Sequence, residues 1–125
     1  MNGDALLFFD GKPEELALYE ALEARIFSEI ENVRLKVSKS QISFYNGHLF
    51  ACVSFLRVKR KAELPGHYIV LTLGLARPLE SPRAAVVTEP YPGRWTHPFV
   101  LSRKEEIDGE LMDGGKQAAV FAAVK

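Results

Sequence analysis

Residues 41–56, QISFYNGHLFACVSFL, constrain the chain more than any other stretch, because their pattern specifies two strands joined at Asn46-Gly47. A two-residue hairpin turn needs φ > 0 at both central positions, which Asn and Gly adopt at least cost. That turn sets a register in which Tyr45 faces His48, Phe44 Leu49, Ser43 Phe50, Ile42 Ala51 and Gln41 Cys52. One face then collects Ile42, Phe44, Leu49, Ala51, Val53 and Phe55; the other collects Gln41, Ser43, Tyr45, His48, Phe50, Cys52 and Ser54. A wholly apolar face beside a mixed one describes a sheet covered by helices on one side and partly open on the other.

The flanking sequence supplies those helices. Residues 13–31 begin with Pro13 at a first helical position and Glu14 and Glu15 in the first turn, and they carry Leu18, Leu22, Ile26 and Ile30 at i, i+4 spacing. Glu20, Glu23, Arg25 and Glu29 fall on the opposite side, so this is a core-facing helix. Residues 6–9 before it read as a short strand or a packed segment. Ser102 with Glu105 three residues on fits a capping box, which predicts a second helix burying Ile107, Leu111, Ala118, Ala119 and Ala122. Asp113-Gly114-Gly115 interrupts it. Two adjacent glycines cost about 2 kcal/mol against alanines in a helix interior, so a kink or break is expected unless close packing needs the missing side chains.

Between the helices, Val33, Leu35 and Val37 alternate with Arg34 and Lys36, and residues 68–75 alternate again after Pro65-Gly66. Residues 84–88 read as a short strand ended by Glu89-Pro90, and Trp95, His97, Phe99 and Leu101 as the core side of a last strand. Pro98 predicts that this strand is an edge or carries a bulge. The fold class is therefore α+β: a mainly antiparallel sheet of about five strands with N- and C-terminal helices packed on one face.

A chain of 125 residues with 47% hydrophobic and 26% charged residues suits one domain, residues 1–125, with a core that needs no staple. A single cysteine excludes an internal disulfide framework. There is no 18-residue apolar run, and the start lacks a basic region ahead of its apolar patch, so a cytoplasmic protein with no membrane association is expected.

Taken in order, DGKPEELALYEAL, VSKSQISFYNGHLFACV, PGRWTHPFVL and EEIDGEL resemble the domain of unknown function 5655 family of small bacterial proteins over nearly the whole chain. The resemblance implies the same α+β domain and carries no activity, cofactor or catalytic residue with it. Asp113-Gly114-Gly115 departs from the pattern.

The signatures of common enzymes are missing: GxSxG, HExxH, a Walker loop and GxGxxG do not occur. His48, His67 and His97 are too dispersed for a short-spaced metal motif, and His48 and His67 read as exposed loop residues. His97 falls on the core face, where a hydrogen-bonded packing role is more common than catalysis. Cys52 is mid-strand, away from anything that would lower its pKa. No catalytic residue, metal or cofactor is assigned.

Charge is distributed unevenly. Residues 1–31 carry eight acids and two bases, residues 32–104 three acids and twelve bases, and residues 105–125 five acids and two bases, so a basic sheet lies between acidic helices within a chain of zero net charge. On the second sheet face and its rims, Arg34, Lys36, Arg57, Lys59, Arg60, Lys61 and Arg94 supply cations and Tyr45 and Tyr68 supply rings, with Trp95 of the last strand beside Arg94 as a further stacking ring. Cations and hydroxyls on a rigid sheet hold anions, and rings beside them stack bases. The expected function is a non-catalytic binding or accessory domain for an anionic partner, nucleic acid or a phosphorylated small molecule. The alternatives are a homodimer through the same face, using Phe50, Leu56 and Tyr68, and a small enzyme centred on Cys52 or His97.

Overall fold

The computed structural model describes residues 3–55, 66–76, 88–91 and 94–124. The elements are α1 (Gly3–Phe8), α2 (Pro13–Glu29), β1 (Arg34–Val37), β2 (Gln41–Asn46), β3 (His48–Ser54), β4 (Ile69–Leu75), β5 (Thr88–Tyr91), β6 (Arg94–Leu101), a 3-10 turn (Lys104–Glu106) and α3 (Gly109–Ala123). All strand pairs are antiparallel, in the order β1-β2-β3-β4-β6-β5. Six strands are thus present among the described residues, and the α+β class stands. No helix among them is long and apolar enough to cross a membrane.

The apolar stripes land where their periodicity directs them. Leu18, Leu22, Ile26 and Ile30 from α2, and Leu111, Ala118, Ala119 and Ala122 from α3, are buried against Ile42, Phe44, Val53, Ile69, Leu71, Leu73, Phe99 and Leu101 of the sheet. Residues 6–9 are the packed segment rather than the strand: α1 runs through Phe8, and Phe9 is buried, tilted against Tyr19 and edge-on to Phe55. The anticipated strand at 84–88 lies mostly outside the described residues; β5 starts at Thr88 and contains Pro90. As the sheet's outer strand, β5 can hold a proline. β6 lies between β4 and β5, so it is not the edge strand that Pro98 predicts; its register with β5 shifts between Thr88 and Tyr91.

The hairpin departs from the expected register. Asn46 remains in β2, and Gly47 alone, at φ +77, reverses the chain, so Asn46 pairs with His48. The register then shifts between Phe44 and Tyr45: Tyr45 faces Leu49, whereas Phe44 faces Ala51. Phe50 is the extra residue of a β-bulge, which turns two successive side chains to one face. Phe50 is therefore 1% exposed in the core, and Leu49 is 39% exposed, the reverse of simple alternation. Beyond the bulge the register has moved by two, an even number, so Ile42, Ala51 and Val53 keep the core face and Ser43, Cys52 and Ser54 the other. The turn is fastened to the end of α3, where helix carbonyls lack intrahelical donors. Asn46 Nδ2 donates to Ala119 O at 3.0 Å, and His48 Nδ1 donates to Ala122 O at 3.0 Å, so His48 has a structural partner.

The second helix begins later than the Ser102–Glu105 box predicts. Glu106, rather than Glu105, reaches back, its Oε1 accepting from Ser102 N at 2.8 Å, Ser102 Oγ at 3.1 Å and Arg103 N at 2.9 Å. This cap closes only the 3-10 turn. Asp108 caps α3 itself by accepting from Leu111 N at 3.1 Å. Arg25 joins the two parts of the molecule, donating through Nη1 to Ile107 O at 3.0 Å and through Nε to Glu29, whose other oxygen meets Lys116 Nζ at 3.2 Å.

Burial by itself would raise the Glu106 pKa, but the backbone N–H groups of Ser102 and Arg103 and the Ser102 hydroxyl outweigh it and hold the carboxyl below its ordinary value. Hydrogen bonds from Arg25 and Lys116 lower Glu29 likewise. A depressed carboxylate stabilises the fold above its unfolded pKa, and that contribution is lost as pH falls through its folded value. Thermal midpoints measured downward from about pH 5 should therefore fall, and Glu106→Gln should show a smaller fall over the same range.

Helix α3 is continuous through Gly114 and Gly115, both buried. A Cβ on Gly115 would meet Ile30 Cδ1 at 3.8 Å, ordinary van der Waals contact. Gly115→Ala should thus stabilise the domain by about 0.5–1 kcal/mol in urea denaturation, through helix propensity alone.

Candidate anion-binding site

The second sheet face is much less open than its composition implies. Ser43, Ser54, Val70 and Pro98, on β2, β3, β4 and β6, are all buried, Val70 completely. Cys52, Thr72, Thr96 and Val100 on this face are half-exposed, and the fully exposed cations of the face, among the described residues, lie at the β1 margin. There Arg34 and Lys36 are exposed because strand alternation turns them away from half-buried Leu35 and Val37. Arg34 pairs with Tyr45, and Lys36 pairs with Ser43, so both cations share a face with those residues. Asn32, at φ 59, makes the left-handed turn that leads the chain from α2 into β1.

These residues line an open groove of about 570 Å³ formed by Asn32, Arg34, Leu35, Lys36, Tyr45, Asn46 and Gly47. Among the described residues no carboxylate lines it. Among the described residues neither Arg34 nor Lys36 is held in an ion pair, so both charges are available. Gln41 Nε2 donates to Ser43 Oγ at 2.9 Å, which orients that buried hydroxyl within the sheet.

Three of the residues singled out from the sequence, Arg34, Lys36 and Tyr45, are brought together here. Others are not. Arg57, Lys59, Arg60 and Lys61, with Leu56, lie outside the described residues. Tyr68 is half-buried just ahead of β4, its hydroxyl 3.5 Å from Phe55 O. Trp95 pairs with Leu75 and so belongs to the helix-covered face, whereas Arg94, one residue earlier, occupies the opposite register position at the far side of the sheet. Asn46 is missed as a groove residue because in sequence it reads only as a turn former, and Asn32 because nothing in the sequence singles it out.

The thiol and the buried imidazole are separated. Cys52 pairs with Ser43 and Thr72 on the second face, and His97 pairs with Leu73 on the core face, so they form no Cys–His pair. Burial pushes the Cys52 thiol up, against a smaller lowering from a Thr72 hydrogen bond. Burial also lowers the His97 pKa, more than backbone hydrogen bonds at Leu73 and Trp95 raise it, which favours a neutral ring at 0% exposure. Phe50, proposed for a dimer seam, is in the core and cannot contribute to one. His67 is exposed as anticipated, with its two ring nitrogens 3.2 and 3.3 Å from Glu14 and Glu15. Among the described residues no cluster of His, Cys, Asp or Glu is arranged to hold a metal ion.

Residues 7–118 match the family described as Domain of unknown function (DUF5655). The chain belongs to the DUF5655 family. The match spans α2, the whole sheet and most of α3, so the groove on β1 and β2 lies within the DUF5655 region. No curated protein and no solved structure gives a match.

Proposed function

We propose that this DUF5655 domain is a non-catalytic binding module for a phosphate-bearing anion, nucleic acid or a phosphorylated small molecule, held at the β1 margin. The observation that carries the reading is the groove itself: Arg34 and Lys36 lie on its wall with Tyr45, unpaired and without a lining carboxylate among the described residues. A guanidinium and an ammonium give charge-assisted hydrogen bonds to phosphate oxygens, about twice as strong as neutral ones. Being exposed, they pay little desolvation before a ligand arrives, so the contact is reversible and salt-sensitive.

The test is the affinity of the domain for a fluorescent nucleotide at several salt concentrations. A phosphate ligand on these two cations gives affinity that falls steadily with log salt. A salt-independent affinity, or none at low salt, would contradict the reading. Trp95 is a poor reporter for this experiment because it stands on the other face of the sheet, so the label belongs on the ligand.

A further inference from the structure

We infer that the anion taken by this groove is an extended single-stranded nucleic acid running along β1, an inference that rests on the reading above and narrows it. The layout of the charges favours a linear ligand. A lone phosphate is best held by donors that converge on one point, as at a backbone nest or a helix N-terminus. Arg34 and Lys36 instead occupy positions i and i+2 of one strand, about 7 Å apart along it. Lys39, in the bend after β1, belongs to a different groove, lined by Leu7, Phe8, Val37 and Ser38, so the row here is Arg34 and Lys36 alone. Two cations spaced along a strand, rather than converging on one point, fit an anion that is itself a line of separate charges.

A ring stands beside that line. Tyr45 is the cross-strand partner of Arg34, half-buried at its base, and it lines the same groove. Base–aromatic stacking tolerates any base, and with a basic track it is the usual construction of a single-strand site. Asn32 adds an amide group at the same end. Duplex fits poorly, since the groove offers one ring and a single track of cations to a ligand whose bases are already stacked.

The test compares ligand lengths. Labelled oligothymidylate and oligouridylate of about twelve nucleotides are titrated by fluorescence anisotropy, and unlabelled mono-, di- and tetranucleotides and inorganic phosphate serve as competitors. Affinity should rise with each nucleotide up to about four and then level off, by roughly tenfold or more overall. Tyr45→Ala should weaken the oligonucleotide by roughly fivefold to a hundredfold and leave the salt slope unchanged, because stacking releases no counterion. Lys36→Gln should lower that slope by about 0.7, the value of one phosphate contact on a single strand. Mononucleotide and oligonucleotide binding equally well would overturn the single-strand inference and leave the anion reading intact. No binding by any of these probes would overturn both.

Discussion

Phe50→Ala is expected to cost the domain about 3–5 kcal/mol of stability, while the neighbouring Leu49→Ala costs less than about 1 kcal/mol. The two residues are adjacent on β3, and simple alternation assigns the larger loss to Leu49. The bulge reverses that order. Phe50 is 1% exposed with its ring centroid 6.5 Å from that of Phe44, so truncation opens a cavity between the sheet and the helices. Leu49 is 39% exposed, so truncation there leaves no closed cavity. Urea denaturation of the two variants measures the difference, and equal losses would mean that β3 is paired without the bulge.

Charge reversal at the groove is the other large effect. Arg34→Glu with Lys36→Glu should reduce affinity for any phosphate-bearing ligand by at least about a hundredfold, since two charge-assisted contacts of about 1.5–3 kcal/mol each are replaced by repulsion. Stability should change by no more than about 0.5 kcal/mol, because both side chains are exposed on an outer strand and neither is paired. The combination matters: a loss of binding with an unchanged unfolding midpoint separates a binding role from the structural role that cations on sheet edges also serve, that of discouraging edge-to-edge association.

The long-period features were readable from sequence, and the short-range ones less so. The α2 stripe from Leu18 to Ile30 and the alternation of β1, β4 and β6 depend on burial of a whole face, which composition at fixed spacing reveals. The hairpin faces at Ile42, Ser43, Ala51 and Cys52 survived a wrong register because it was wrong by two residues, and side chains repeat every two. Phe50 and Leu49 did not survive, because a bulge depends on three-dimensional fit at one position and leaves no period. The same is true of caps: Glu105 and Glu106 are equally plausible in sequence, and only the approach of the Ser102 and Arg103 N–H groups selects Glu106. The two glycines of α3 read as a helix break, yet the Gly115 position packs next to Ile30 of α2 within an unbroken helix.

Part of the site was legible for the same reason. Arg34, Lys36 and Tyr45 were brought to one face by strand parity and hairpin pairing, both of which a sequence encodes. That Trp95 stands apart also follows from parity, since it alternates with His97 and Phe99. The closure of the second face over Ser54, Val70 and Pro98 could not be read, because these residues are small or mixed and carry no signal of being covered. Burial at these positions leaves Arg34 and Lys36, exposed at the β1 margin, as the cations to test.

The most direct measurement is a titration of the isotopically labelled domain with inorganic phosphate and then a mononucleotide at low salt, following backbone amide signals. Binding at the groove gives saturable shifts concentrated at Arg34, Leu35, Lys36, Tyr45, Asn46 and Gly47, fading as salt is raised. Shifts confined to other parts of the domain, or none at all with either anion, would contradict it.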